Sequence, residues 1–309
     1  MITKTDESTH GPSENLLRLD DGRHLSFIRW NELGHRPLLF CHGTPGSRLF
    51  RPADLTLLAA HDIDLITVDR PGYGRSTPQR DRAILDWPRD VLELSQRLGW
   101  TRFAVAGISG GGPHALACGF ALPDRIAAMV IISSVAPFWS GALDRMLPTT
   151  RLGFQLARWS PWLLSLVARC TVTSRKQFLA KLRRELPDCD CKILARPEVA
   201  EIAAQNYAEA LSSHAMALAM VHEMVLLCQD WGFALSDIRV PALLWHGELD
   251  RNVPVGHGYR IAQALFDCFA TFLPDAGHYL VFDQWEAILR RIAADQYWVD
   301  DHSKPHGSA

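Results

Sequence analysis

The sequence predicts an α/β fold, with a mostly parallel eight-stranded sheet, helices on both faces and a helical segment inserted between two strands. Three observations predict it. Short apolar runs without alternation, such as residues 103–107 and 127–132, suit strands buried on both faces. Stretches of helical period lie between such runs, as a parallel sheet with crossover helices requires. This alternation stops near Pro137 and resumes at Pro241, with only helical patterning between.

The elements follow in order. Residues 16–19 and 25–30 flank Asp20-Asp21-Gly22, a hairpin turn signal. Residues 37–41 form an apolar strand ending at His42-Gly43, and residues 52–60 have helical period. A strand at 64–68 leads into the loop 69–76. The stretch 84–98 is an amphipathic helix that places Val91, Leu92, Leu94 and Leu98 on one face. A strand at 103–107, a helix at 113–122 and a strand at 127–132 complete the first half. In the insertion, Ser160-Pro161 reads as a helix start. Val199, Ile202, Ala203 and Tyr207 fall at helical spacing, and Met216, Met220 and Met224 recur every four residues. Strands at 241–246 and 270–274 and a helix at 285–294 close the chain. The expected organisation is a core of 16–137 and 238–299, a cap of 138–237, and loose tails at 1–15 and 300–309.

Composition bounds the function. The 309 residues are 48% hydrophobic and 21% charged, enough for a sizeable core and unlike a disordered chain. With 32 basic and 34 acidic residues the net charge is -2. No basic excess exists to neutralise phosphates, so nucleic acid is not an expected partner. The seven cysteines are odd in number and irregular in spacing, which fits a reducing compartment rather than a disulfide framework. Cys189-Asp190-Cys191 has no nearby ligands to complete a zinc set, so no metal is expected. The polar N-terminus lacks a signal-peptide pattern, and no apolar run reaches the length of a membrane span. These features predict a cytoplasmic protein, monomer or homodimer, without a membrane partner.

The segment Gly107-Ile108-Ser109-Gly110-Gly111 fits G-x-S-x-G between a strand and a helix. A serine on so sharp a turn projects its hydroxyl above the sheet. Side chains two residues either side would collide with neighbouring elements, so glycine is needed there. The Gly110 N–H and the helix dipole then favour a developing oxyanion. A nucleotide-binding loop is the competing reading, but Ser109 occupies the place of the second glycine in G-x-G-x-x-G.

A serine hydroxyl needs a base and an orienting acid. Loops after the last two strands can bring both to Ser109, in the order serine, acid, histidine. Asp250 is therefore the expected acid and His278 the expected base. Glu248 is the alternative acid, and Asp275 is expected to shape the turn before Gly277. In His42-Gly43-Thr44-Pro45-Gly46 the Thr44 N–H, or else that of Gly43, supplies a second oxyanion donor. His42 and His246 are expected to brace loops, and His114 to pack in the core. Candidate pocket residues are Ile108, Trp139, Met216, Met220, His222 and Tyr279, although for His222 a core or surface place is the plainer reading. The insertion is rich in Trp and Met, which suits an apolar acyl pocket.

Together, the His42–Gly46 loop, Asp69-Arg70-Pro71-Gly72-Tyr73-Gly74-Arg75-Ser76, the serine turn, Asp250 and Gly277-His278 resemble the α/β-hydrolase superfamily in its capped, single-sheet form. The resemblance covers residues 16–137 and 238–295. It implies a serine hydrolase without cofactor that cleaves an ester, thioester, lactone or small amide of a small apolar acyl group. H-G-x-P-G is similar to the proline iminopeptidases, but Ile108 and Gly110 depart from their usual Gly-Gly-Ser-Trp-Gly. Perhydrolases and carbon–carbon bond hydrolases share the serine triad and are further alternatives. Dehalogenases and epoxide hydrolases use aspartate where this chain has Ser109. A ligand-binding protein on the same fold is the non-enzymatic alternative.

Overall fold

The computed structural model describes residues 2–4, 12–173, 180 and 183–298. Its strands are β1 (Ile2–Lys4), β2 (Ser13–Arg18), β3 (His24–Arg29), β4 (Arg36–Cys41), β5 (Ile63–Val68), β6 (Phe103–Ile108), β7 (Ile126–Ile132), β8 (Ala242–Gly247) and β9 (Cys268–Leu273). They form one sheet in the order β1-β2-β3-β5-β4-β6-β7-β8-β9. From β5 to β9 every neighbouring pair is parallel, while β1, β2 and β3 run antiparallel to their neighbours.

Strands β5 to β8 are buried along their whole length, which is why their sequences do not alternate. The helices are α1 (Thr56–Ala60), α2 (Trp87–Arg97), α3 (Gly112–Ala121), α4 (Pro148–Trp159), α5 (Pro161–Thr173), α6 (Asp188–Leu194), α7 (Pro197–Ala210), α8 (His214–Cys228), α9 (Gly256–Ala264) and α10 (Val281–Ile292). On one face of the sheet, Val91 and Leu94 of α2 pack with Ala115 and Leu116 of α3 and Ile261 of α9. On the other, Leu58 of α1 packs with Trp285, Ile288 and Leu289 of α10.

Among the described residues the sheet has nine strands rather than eight. Ile2–Lys4 pairs with the outer edge of β2, and Ile2 packs against the larger core cluster. An apolar residue beside an open strand edge thus extends the sheet into part of the expected tail. Ser13 to Asn15 of the expected tail are likewise sheet, the start of β2, while residues 1 and 5–11, and the tail at 300–309, lie outside the described residues.

Helices α4 to α8 lie between β7 and β8. Several polar contacts fasten them to the sheet domain. Arg48 Nη1 donates to Glu209 of α7 at 2.9 Å, and the Ser47 N–H donates to Asn206 Oδ1 at 2.8 Å. Arg196 bonds Asp283, and Thr150 of α4 donates to Asn252 at 2.6 Å.

Candidate active site

Strand β6 ends directly at Ser109, which has φ of +56°. A non-glycine residue rarely adopts that conformation, and such strain concentrates at functional sites. Gly107 makes the turn possible: a Cβ there would lie 2.3 Å from the Gly111 carbonyl oxygen. Helix α3 follows at once, so its N-terminus underlies the hydroxyl.

Asp250 lies in the loop after β8 and His278 in the loop after β9. Asp250 Oδ1 accepts the backbone N–H groups of Asn252 and Val253, each at 2.8 Å. His278 Nδ1 donates to Asp250 Oδ2 at 2.8 Å, leaving Nε2 unprotonated in the neutral ring. Burial alone would push the His278 pKa down. The Asp250 carboxylate, with Asp190 behind it, outweighs that and holds it above the ordinary histidine value. Glu248 does not meet His278; its contact is with the Tyr259 hydroxyl. Asp275 is exposed in the turn before Gly277.

Ser109 and His278 line one small cavity, together with Gly43, Thr44, Ile108 and Tyr279. A Cβ placed on Gly43 would lie 3.9 Å from Ser109 Oγ, and one placed on Gly110 would lie 2.4 Å from Thr44 Oγ1. The structure therefore gathers both glycines and Thr44 around the serine.

The cavity is more polar than the composition of the insertion suggests. Asn206 and Tyr207 of α7, and Asn252, complete its wall. The Tyr207 and Tyr279 hydroxyls are 2.7 Å apart. Of the expected pocket residues, Ile108 and Tyr279 reach it, whereas Trp139, Met216, Met220 and His222 do not line it. Met220 faces the core on α8, and Met216 meets the Ser212 hydroxyl. His222 is half-buried on another side of the same helix. Trp139 packs edge-on against the His257 ring, with Arg260 over its face. The orientation of α8 explains the misses at Met216, Met220 and His222, because the residue it turns inward for a polar purpose is Glu223; Trp139 lies in the segment after β7.

Glu223 is fully buried and forms a cluster that sequence reading missed. Its Oε1 accepts Arg70 Nε at 2.8 Å and Arg82 Nη2 at 3.0 Å. Its Oε2 accepts the Thr44 hydroxyl at 2.8 Å and Arg70 Nη2 at 2.5 Å. Arg70 also donates to the His42 and Gly43 carbonyls, so α8 grips the loop carrying Thr44. Burial opposes the charge on Glu223, but Arg70 prevails and holds its pKa well below the usual range. His114 does more than pack: its Nδ1 lies 3.1 Å from the Gly110 carbonyl and its Nε2 3.4 Å from Glu223. Burial and Arg70 push its pKa down to about 3, so it is neutral at pH 7. His42 braces its loop through Gly43 and Arg70, and His246 bonds the Val253 carbonyl at 2.8 Å.

The second missed residue is Asp190 of α6. Its carboxylate accepts the backbone N–H groups of His278 at 3.0 Å and Tyr279 at 2.8 Å. A Cβ on Gly277 would lie 2.3 Å from Asp190 Oδ2, so glycine there admits the carboxylate. The sequence signal was a short Cys-Asp-Cys helix, which drew attention to its thiols rather than to the acid between them. Among the described residues, no group of three metal-ligating side chains exists.

The alpha/beta hydrolase fold family matches residues 36–284. The chain belongs to that family. That match makes it a hydrolase of the alpha/beta family. It is 25% identical over 306 residues to a 2-hydroxy-6-oxononadienedioate/2-hydroxy-6-oxononatrienedioate hydrolase of Paraburkholderia phymatum, covering 92% of this chain and 93% of that protein. Among solved structures it is similar to an enol-lactonase from Burkholderia xenovorans, with TM-score 0.66, 18% identity, and coverage of 92% and 100% of the two chains. It is also similar to an esterase from Exiguobacterium antarcticum, with TM-score 0.64, 16% identity, and coverage of 91% and 98%.

Proposed function

We propose that this hydrolase cleaves a carboxylic ester of a short acyl group through an acyl-enzyme on Ser109. The observation that carries the reading is one cavity lined by Ser109 and by His278, whose other ring nitrogen is held by Asp250. Ser109 Oγ attacks the carbonyl carbon while His278 Nε2 takes its proton. Asp250 stabilises the imidazolium. The Gly110 and Thr44 N–H groups, with Gly43 as alternative to Thr44, bind the oxyanion, each such donor contributing about 3 kcal/mol. The tetrahedral species collapses, the ester C–O bond breaks, and His278 gives its proton to the leaving alcohol. Water, deprotonated by the same base, then releases the acid and restores Ser109. This chemistry requires no metal or organic cofactor. The odd, irregularly spaced cysteines support a reducing, cytoplasmic setting.

The polar wall made by Asn206, Asn252, Tyr207 and Tyr279 supports an acyl group carrying hydrogen-bonding atoms. A second reading has a specific basis. Several relatives that match over nearly their whole length carry the name 2-hydroxy-6-oxononadienedioate/2-hydroxy-6-oxononatrienedioate hydrolase. The same serine could then attack a ketone and expel a stabilised carbon leaving group.

A series of p-nitrophenyl esters from acetate to octanoate, run beside a 2-hydroxy-6-oxo-dienoic acid, separates the two. Ester cleavage with a maximum at short chains, abolished in Ser109→Ala and His278→Ala, is expected. Turnover of the dienoic acid alone favours the second reading. Wild-type rates in both variants contradict both.

A further inference from the structure

Helices α4 and α5 carry an apolar face with exposed large side chains among the described residues. Phe154, Ala157, Leu164 and Ala168 point inward and are buried, while Trp159 and Trp162 are 75% and 71% exposed on the outer side. Leu152 and Leu166 are exposed beside them, at 54% and 56%. Helical spacing aligns these residues: Leu152 and Trp159 are two turns apart on α4, and Trp162 and Leu166 one turn apart on α5. Two exposed tryptophans three residues apart on consecutive helices, each with an exposed leucine on its own helix face, are of a kind that marks an interaction surface.

The charge on these two helices is one-sided: they carry Arg151, Arg158 and Arg169 and no Asp or Glu. Between Asp144 and Glu185 the chain carries nine Arg and Lys and no Asp or Glu, although its total charge is -2. Arg151 and Arg158 are exposed on the same side of α4, and the Arg158 guanidinium lies 5.1 Å from the Trp159 ring centre. Tryptophan and arginine together suit the headgroup level of a bilayer, where an amphipathic ring sits and anionic lipid attracts the cation. A second copy fits less well. A two-fold contact through this face would bring the arginine-bearing surfaces of two copies together, a like-charge juxtaposition.

We propose that the outer face of α4 and α5 docks this hydrolase on an anionic bilayer surface. No single described helix is long and apolar enough to cross a membrane, and the attachment proposed is peripheral. It departs from the expectation of no membrane partner. The helix that would dock is joined to the catalytic cavity, because Thr150 in its first turn holds Asn252 of the cavity wall.

The test is co-sedimentation of the full chain with phosphatidylcholine vesicles, with and without 30% phosphatidylglycerol, while tryptophan emission is recorded. Binding only to the anionic vesicles, a blue shift, and release at high salt are expected. Arg151→Gln and Arg158→Gln should each weaken the partition roughly fivefold. A Trp159→Ala, Trp162→Ala variant should lose the blue shift while keeping its melting temperature and its hydrolytic rate on soluble substrate. Absence of binding to anionic vesicles at low salt overturns the proposal. So does binding that the charge and tryptophan variants leave unchanged. A dimer seen by light scattering, lost in the double tryptophan variant without any vesicle binding, assigns the face to a second copy instead. The hydrolytic reading stands or falls separately, since these readouts are of binding.

Discussion

Asp190 of the helical insertion accepts the backbone N–H of His278, at 3.0 Å, in the loop that presents the proposed catalytic base. One buried carboxylate thus ties the insertion to the position of a ring on the sheet domain. It also adds to the electrostatic pull that keeps the His278 pKa up. Asp190→Asn retains one acceptor but removes the charge. The acid limb of kcat/KM should therefore move to lower pH, and kcat should fall about tenfold or more, as a loosened catalytic geometry gives. Steady-state kinetics from pH 5 to 9 check this. An unchanged limb and rate would leave Asp190 with a packing role alone.

Gly277→Ala tests the same contact from the other side. The added methyl would lie 2.3 Å from Asp190 Oδ2 and must displace the carboxylate or the loop. The variant should resemble Asp190→Asn in its pH profile, and the double variant should cost less than the sum of the two, because the sites are coupled. A double-mutant cycle on kcat/KM measures it; strict additivity would count against the contact.

His278 has to be neutral to accept the serine proton. Its folded pKa is raised, so activity should rise with pH through a midpoint above 6.5, the model-peptide value. The sign for stability is opposite. The raised pKa favours the protonated form, so its stabilisation is present below the unfolded pKa and is lost as pH climbs through the folded value. Asp250→Asn removes the main cause of the elevation. It should lower the midpoint and reduce kcat by about 10⁴-fold through loss of the tautomer. An activity midpoint below 6 in the wild type would contradict the charge arrangement.

Glu223→Gln leaves Arg70 and Arg82 in the interior with their shared carboxylate gone. Removing one partner of a buried ion pair costs about 3–5 kcal/mol. In a chain of this size the melting temperature should fall by roughly 6 °C or more. Because the Glu223 pKa is depressed, its stabilisation is present above the unfolded value and is lost as pH falls through the folded one. Differential scanning calorimetry at pH 7 and pH 3 reads both effects. The variant should lose less at pH 3 than at pH 7, and an equal loss at both would argue against an ionised Glu223.

The architecture was legible because burial on both faces leaves unbroken apolar runs, as at β6 and β7, and because a helix must separate parallel strands. Ser109 was legible because a strained turn needs glycine on both sides. Asp250 and His278 followed from their place at the ends of β8 and β9. The edge strand Ile2–Lys4 is three residues long, too short for a period to show. The roles of Asp190 and Glu223 could not be read, since each is a lone acid whose partners lie at least 88 and 109 residues away in the chain. The Met and Trp residues of the insertion suggested an apolar pocket, but the same composition serves a helix core at Met220 and an exposed face at Trp159 and Trp162.

The central claim is that Ser109 is an activated nucleophile. Intact-mass analysis of the protein after brief exposure to a fluorophosphonate, followed by peptide mapping, tests it most directly. The account predicts one adduct per chain, on the peptide containing Ser109, absent in Ser109→Ala and slowed by orders of magnitude in His278→Ala. Absence of an adduct on the folded wild-type protein, or an adduct of equal rate in Ser109→Ala, would contradict it.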